Sequence, residues 1–544
     1  MITRKTEKST IFAKNLQDMA EQRRRLPVGL QSFKEIRRGG YVYVDKTDVV
    51  WNMVNNGVKY NYLNRPRRFG KSLLVDTLEC YLTGQKELFE GLKIMDLETE
   101  WNNHPVIRLD MSFGGATAEA LRSYLHNSFS QYEKTYGITP LPNDSLGARF
   151  DRIIRTAYNK TNLQVAILID EYDAPLQHSW RTPEHEDCTA IYREVFAILK
   201  GNDEFEKLVF ITGITKFTQI SLFSVLNNLS NISFDSSCAT VCGITEEEML
   251  RDFQPEMQNM AEHYKWTLDE TRQRLKDYYD GYHFSPDNMV DIYNPFSLVN
   301  ALHNGEIRNY WAASGATSLL PKFVDDMEIH IEDFDQCYLD ADTIKTSDVS
   351  CGGAELFLYQ SGYLTIKSTQ DDIYTLGFPN TEVRQALSKF VIPALTMRSI
   401  NDVLSTQSRL KVHLYNCNLP EAMKCLKALI ADVPYSNKKL QSMDMEERYR
   451  LIISTILNAI GLQVRVEHML STGRIDIVAK APRYVYIMKL KLSNNGGILA
   501  AGKQIEEKGY AQPFTANDHR QPVCLAIELD HEGKGLTCWK EVKQ

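Results

Sequence analysis

Cysteine pairs separated by two residues are absent from this chain. Its ten cysteines are scattered, and only Cys238 and Cys242 lie close together. That pattern argues against a zinc ribbon or a disulfide framework and fits a reducing cytosol. Long apolar runs are missing too. No stretch approaches the ~18–20 uninterrupted apolar residues of a membrane span. The amino terminus mixes Arg4, Lys5, Lys8, Lys14 and Arg23 to Arg25 with acids and amides, and lacks the apolar core of a secretory signal. A soluble, cytoplasmic protein with no membrane partner is expected. There is no surplus of positive charge either: the formal net charge is -8, so any contact with nucleic acid needs a local basic patch. Fixed-period repeats and low-complexity tracts are also absent, so domain boundaries must be read from changes in pattern.

What is present has the composition of globular domains, 43% hydrophobic and 24% charged, over 544 residues. That length is too great for one hydrophobic core. From Leu26 to Ser236 short β-rich runs (Lys59–Leu63, Val106–Asp110, Val165–Ile169, Leu208–Ile211) alternate with helical patterns, which predicts an α/β domain with a parallel sheet and helices on both faces. From Gly243 to about Ile400 the pattern is mostly helical, with Thr245 before Glu246, Glu247 and Glu248 as a helix start. Amphipathic segments punctuated at Leu419-Pro420 and Val433-Pro434 then lead to a small α/β unit. That unit has a helix over Glu446–Ile460, strands at Gln463–Glu467, Ile475–Ala479, Tyr484–Lys491 and Val523–Ile527, and a helix over Leu499–Gly509. The expected division is a tail (1–25), an α/β domain (26–240), a helical middle (241–400), a connector (401–440) and an end domain (441–544).

The chemistry concentrates at Asn64-Arg65-Pro66-Arg67-Arg68-Phe69-Gly70-Lys71-Ser72, read as a loop between a strand ending at Leu63 and a helix over Leu73–Leu82. In the GxxxxGK[ST] phosphate loop the amides cradle phosphate, the Lys reaches the β/γ oxygens and the hydroxyl ligates Mg²⁺. Gly70, Lys71 and Ser72 supply the second half of that motif, but Arg65 stands where the first Gly belongs, so an Arg-Pro pair must make the turn differently. The bland alternative is that Arg65, Arg67 and Arg68 form a solvated basic loop or a nucleic-acid patch. About a hundred residues on, the buried strand Val165–Ile169 delivers Asp170 and Glu171. Asp170 would hold Mg²⁺ through water and Glu171 would orient and deprotonate the attacking water, two roles that need two residues. Thr212, at the end of a third strand, is either a γ-phosphate sensor or ordinary turn chemistry.

Leu26-Pro27-Val28-Gly29, Tyr43 to Thr47, Arg65 to Ser72, Ile169 to Asp173, Ser224 to Ser233, Asp280-Gly281-Tyr282, Tyr293 to Ser297, Gln360 to Thr365 and Phe378-Pro379-Asn380 resemble the divergent AAA-ATPase-like family of bacterial proteins. The resemblance implies a P-loop NTPase fold, ATP and Mg²⁺ as cofactors, and Arg65 as a family trait of the phosphate loop. It also implies a carboxyl-terminal PD-(D/E)xK domain of restriction-endonuclease-like α/β fold, with DNA or RNA as its partner, and a suspected role in defence or mobile elements.

In that tail Gly473-Arg474-Ile475-Asp476 and Tyr484 to Lys491 look like the PD-(D/E)xK hairpin, with Asp476 as metal ligand, Lys491 as the catalytic lysine, and Gln504 and Tyr510 in the helix that follows. Alternation along a strand puts positions 489 and 491 on one face, so both should point at Asp476. The family has Glu at the first of these; this chain has Lys489. An ammonium at a ligand position offers no acceptor and repels the metal, so nuclease activity is expected to be absent. Glu447 and Glu467 match family acidic positions as replacement ligands, or are simply solvated acids. The expected function is Mg-dependent ATP hydrolysis coupled to a nucleic-acid-facing tail; the alternative is a nucleotide-dependent switch with little turnover. The oligomeric state, a homo-oligomer included, and any arginine finger are left open.

Overall fold

The computed structural model describes residues 24–216, 228–311, 334–346, 353–396, 400–431, 444–470, 473–517 and 519–543. Nearly all of the expected tail, the start of the run Ser224 to Ser233, and Val433-Pro434 of the connector lie outside the described residues. The chain forms two compact units. One holds the described residues through Tyr310 together with Thr346 and Gln360–Gly362, and the other holds the rest.

The first unit is built on five parallel strands, β1 (Tyr60–Asn64), β2 (Val106–Asp110), β3 (Val165–Asp170), β4 (Glu206–Gly213) and β5 (Ser230–Asn231), in the order β2-β3-β4-β1-β5. All of β3 is buried, as expected for an unbroken Val-Ala-Ile-Leu-Ile run in a sheet covered on both faces. Because the strands run the same way, Asn64, Asp110, Asp170 and Gly213 end on one edge, where open α/β sheets bind ligands. From that edge helix α1 (Lys71–Leu82) departs. It starts at Lys71, ahead of the expected Leu73, so Lys71 and Ser72 already belong to its first turn.

Glu206, at the start of β4, is fully buried, with Oε2 accepting the Tyr60 hydroxyl at 2.6 Å. Burial lifts its carboxyl from 4.5 to about 7. The folded chain therefore holds this proton more tightly than the unfolded one. Its contribution is complete below about pH 4.5 and is lost as pH rises through about 7, a change of about 3 kcal/mol. Chemical denaturation between pH 4.5 and 8 should show that decline, and Glu206→Gln should flatten it.

Further along, short strands β6 (Ile244–Thr245) and β7 (Ile292–Tyr293) pair antiparallel beside helices over Glu246–Asp252, Gln254–Tyr264, Leu268–Tyr279 and Pro295–Asn304. The expected helix start is a full capping box between Thr245 and Glu248. Met249, Phe253, Met257, Leu275, Tyr279, Tyr293 and Leu298 form the core of this helical part.

The second unit holds a small antiparallel sheet in a region read as mostly helical: β8 (Cys337–Asp340), β9 (Thr365–Gln370) and β10 (Ile373–Gly377), ordered β8-β10-β9. Its hairpin turns on Asp371 and Asp372, and Asp371 takes a left-handed φ of 51°. At the carboxyl end, β11 (Gln463–Leu470), β12 (Gly473–Lys480), β13 (Tyr484–Leu492), β14 (Gln521–Leu529) and β15 (Leu536–Val542) lie in sequential order. β13 and β14 pair in parallel and the other neighbours antiparallel. Helix α2 (Met445–Ala459) precedes the sheet, and α3 (Gly497–Lys508) connects β13 to β14. A parallel pair requires such a crossover. β15 is an addition to the expected elements: between its buried ends, Leu536 and Val542, its residues are partly or fully exposed, so it carries little apolar signal.

Candidate functional site

The loop from β1 to α1 solves the missing glycine by anchoring. Arg65 is buried, and its guanidinium donates to the carbonyls of Asn64 (2.8 Å), Ser233 (2.9 Å) and Cys238 (2.9 Å). It also stacks on the Phe284 ring, 4.2 Å from the centroid. The Arg65 side chain therefore braces the base of the loop, and its carbonyl accepts from the lysine described next. Phe69 is buried edge-on against Tyr282 (4.7 Å) and Phe284 (5.2 Å). Pro66 lies so close to Gly362 that a Cβ there would sit 2.4 Å from the proline ring. Arg67 is half-buried, and Arg68 is exposed, with its guanidinium 5.0 Å from the Phe296 ring. Arg68 (φ 68°) and Gly70 (φ 90°) take left-handed backbone, of the kind that gathers N–H groups into an anion-binding concavity. Nothing lies within 4 Å of a Cβ built on Gly70, so its conformation, and not lack of room, requires glycine.

Lys71 opens α1, and its Nζ donates back to the carbonyls of Arg65 (3.1 Å) and Pro66 (3.2 Å). Across the sheet edge, Asp170 closes β3 and is almost wholly buried. Burial pushes its carboxyl above the usual range, while the nearby Ser72 hydroxyl and the Lys71 charge pull it back. Glu171 follows with a left-handed φ of 49°, and its N–H donates to Asp170 Oδ1 at 2.9 Å. Burial raises the Glu171 carboxyl, Lys71 opposes that, and Asp173 and Asp170 add to it. Lys71, Ser72, Asp170 and Glu171 are thus gathered at one place.

Thr212 is not part of that gathering. It is fully buried, and its hydroxyl donates to the Leu63 carbonyl at 2.7 Å. It stitches β4 to β1 where the two strands are in register, which corrects its assignment to the nucleotide. Two carboxylates at this edge escaped the sequence reading. Asp110 ends β2 directly opposite Asp170 and accepts the Ser112 N–H (3.0 Å) and hydroxyl (2.6 Å). An acid closing a β-rich run, as at Asp170, was the signal for it. Asp173 is the second; it lies in the run Ile169 to Asp173 that carries the resemblance, but no role was read for it.

In the second unit, Asp476 on β12 and Lys489 on β13 are buried together, with Nζ 2.8 Å from Oδ1. Oδ2 accepts the Leu490 N–H at 2.7 Å, and Lys489 also donates to the Arg474 carbonyl at 3.3 Å. Lys491 pairs instead with Glu446 of α2, at 3.4 Å, which corrects the expectation that both lysines meet Asp476. Glu467 is bound by Arg450 and Arg474, each at 2.9 Å, and Glu447 lies 3.7 Å from Arg450. Tyr510 donates to the Arg474 carbonyl at 3.1 Å.

A parallel sheet with a Gly-Lys-Ser loop after one strand and an acidic pair after another defines a P-loop NTPase-like domain, here followed by a PD-(D/E)xK-like sheet. Residues 27–223 match the family described as "Predicted AAA-ATPase", and residues 444–539 match the PD-(D/E)XK nuclease superfamily. A protein of Azotobacter chroococcum mcd 1, described as "Uncharacterized protein in vnfD 5'region", is 30% identical over 532 residues, covering 94% of this chain and 98% of that protein. The chain belongs to this AAA-ATPase-like family with a carboxyl-terminal PD-(D/E)xK domain. Among the described residues no helix is long and apolar enough to cross a membrane.

Proposed function

We propose that this chain binds ATP with Mg²⁺ and hydrolyses it at the edge of the first sheet, and that its carboxyl-terminal domain contacts nucleic acid without cutting it. What supports the first part is the convergence of Lys71 and Ser72, in the first turn of α1, on the acids that close β3, with Lys71 acting on both the Asp170 and Glu171 carboxyls. A hydroxyl and a buried carboxylate are the hard oxygen donors Mg²⁺ takes, and both stand at this edge. Ser72 and Asp170 would hold the ion, which when bound neutralises charge on the phosphate oxygens. Lys71 would release the Arg65 and Pro66 carbonyls and donate to the β/γ oxygens. Glu171 would orient a water and take its proton as the water oxygen bonds to the γ-phosphorus and the bond to the β–γ bridging oxygen breaks. ADP and inorganic phosphate are the products.

At the second site the residues do not fit a divalent cation. The Lys489 ammonium stands 2.8 Å from the Asp476 carboxylate that would bind it, and Glu467 is engaged by arginines. Contact with a phosphodiester backbone then falls to the partly exposed Lys491 and Arg474, and not to Lys489. Calorimetry with Mg-ATP, followed by turnover assays with and without DNA or RNA, tests both parts. A heat of association and turnover that both require Lys71 are expected. Binding without turnover would favour the switch, and no heat at all would overturn the proposal.

A further inference from the structure

Asp173 is fully buried two residues beyond Glu171. Its Oδ2 accepts the Thr215 N–H (2.6 Å), the Thr215 hydroxyl (2.7 Å) and the Ile214 N–H (3.1 Å), and the Gln177 amide donates to it as well. The Thr215 carbonyl in turn accepts the Tyr172 hydroxyl at 2.8 Å, and the Tyr172 N–H donates to the Thr212 carbonyl at 3.0 Å. The turn after β3 and the loop leaving β4 are therefore tied together on both sides of one carboxylate. Gly213 permits the approach: a Cβ there would lie 2.4 Å from Asp173 Oδ1 and 2.7 Å from the Tyr172 ring. Glu171 sits inside this tie with left-handed backbone, its carbonyl accepting the Ala174 N–H at 3.0 Å. A non-glycine residue keeps such a conformation only where its surroundings over-determine it.

We infer that Asp173 is a positioning residue for hydrolysis: by clamping Ile214 and Thr215 onto the turn after β3 it holds the Glu171 carboxylate in the orientation that activates water. The inference rests on the ATPase reading above and adds a residue that the phosphate-loop and acidic-pair motifs do not contain. Asp173 does not touch the nucleotide in this account, so its removal should act on turnover and not on binding.

Steady-state kinetics of the full chain with Mg-ATP test this. Asp173→Asn should lower kcat about 100-fold, the scale of a misplaced catalytic group, with the Kd for Mg-ATP unchanged within about twofold. In a Glu171→Gln background the same substitution should cause no further loss, because both act through one group; a purely structural role would give additive losses. Should Asp173→Asn not fold, Thr215→Val removes the hydroxyl that donates to Asp173 and accepts from Gln177, keeps the Thr215 N–H bond, and should lower kcat about fivefold with the same unchanged Kd. Full kcat in these variants, or parallel losses in kcat and affinity, overturns the inference. Wild-type chain without Lys71-dependent turnover would instead overturn the ATPase reading on which it rests.

Discussion

Lys71→Ala should reduce ATP turnover by about a thousandfold or more and weaken Mg-ATP binding together with it. An ammonium about 4 Å from a phosphate oxygen at an effective dielectric near 20 contributes roughly 4 kcal/mol, and each ~1.4 kcal/mol is a factor of ten. The side chain is held by the carbonyls of Arg65 and Pro66, and the first turn of α1 sets its direction. Glu171→Gln should behave differently. Removing only the base is expected to lower turnover by about 10²–10⁴-fold while nucleotide still binds. A phosphate-release assay paired with calorimetry separates the two variants. If Lys71→Ala retained wild-type affinity and rate, the loop would be a basic surface and not a phosphate site.

The second large effect is expected from Lys489→Glu. In the wild-type domain Asp476 and Lys489 neutralise each other in a buried pair. Breaking such a pair costs about 3–5 kcal/mol because a charge is left buried without a partner, and a second carboxylate adds like-charge repulsion. The variant should therefore unfold at markedly lower temperature in EDTA. Mg²⁺ or Mn²⁺ should restore much of that loss, since two carboxylates on adjacent strands attract the cation that the lysine repelled. Thermal unfolding with and without the ion measures this, and cleavage of plasmid DNA gives a second readout. Lys489→Met serves as the control, leaving Asp476 unpaired without adding a ligand, and it should show the loss without rescue. Robust metal-dependent cleavage by the wild-type chain would sink the account of this site.

The parts of the protein that were legible in the sequence are those in which local pattern and chemistry coincide. The Val-Ala-Ile-Leu-Ile run of β3 is apolar on both faces, so its strand and the acids that close it could be read directly. The capping box at Thr245 could be read for the same reason, since donor and acceptor lie three residues apart. The hairpin of β9 and β10 was missed although its turn residues Asp371 and Asp372 separate two alternating runs, because the helical pattern around it dominated. In β15 the residues between Leu536 and Val542 are partly or fully exposed, which leaves almost no periodic signal.

Sequence by itself determined which groups the chain offers for the proposed phosphate chemistry, Lys71, Ser72, Asp170 and Glu171, and that position 489 carries a positive charge where the resemblance implies a carboxylate. These depend on residue identity and on the strand, loop or helix each occupies, both local properties. Tertiary structure alone decided what each remaining charge is paired with. Arg65 turns to the carbonyls of Ser233 and Cys238, 168 and 173 residues away, Lys491 goes to Glu446, and Asp173 clamps a loop about 40 residues downstream. A long side chain in the interior takes whichever partner the fold brings within hydrogen-bonding reach, because leaving a buried charge unpaired costs more than almost any rearrangement. That partner is fixed by strand order and helix packing, which no short window of sequence contains.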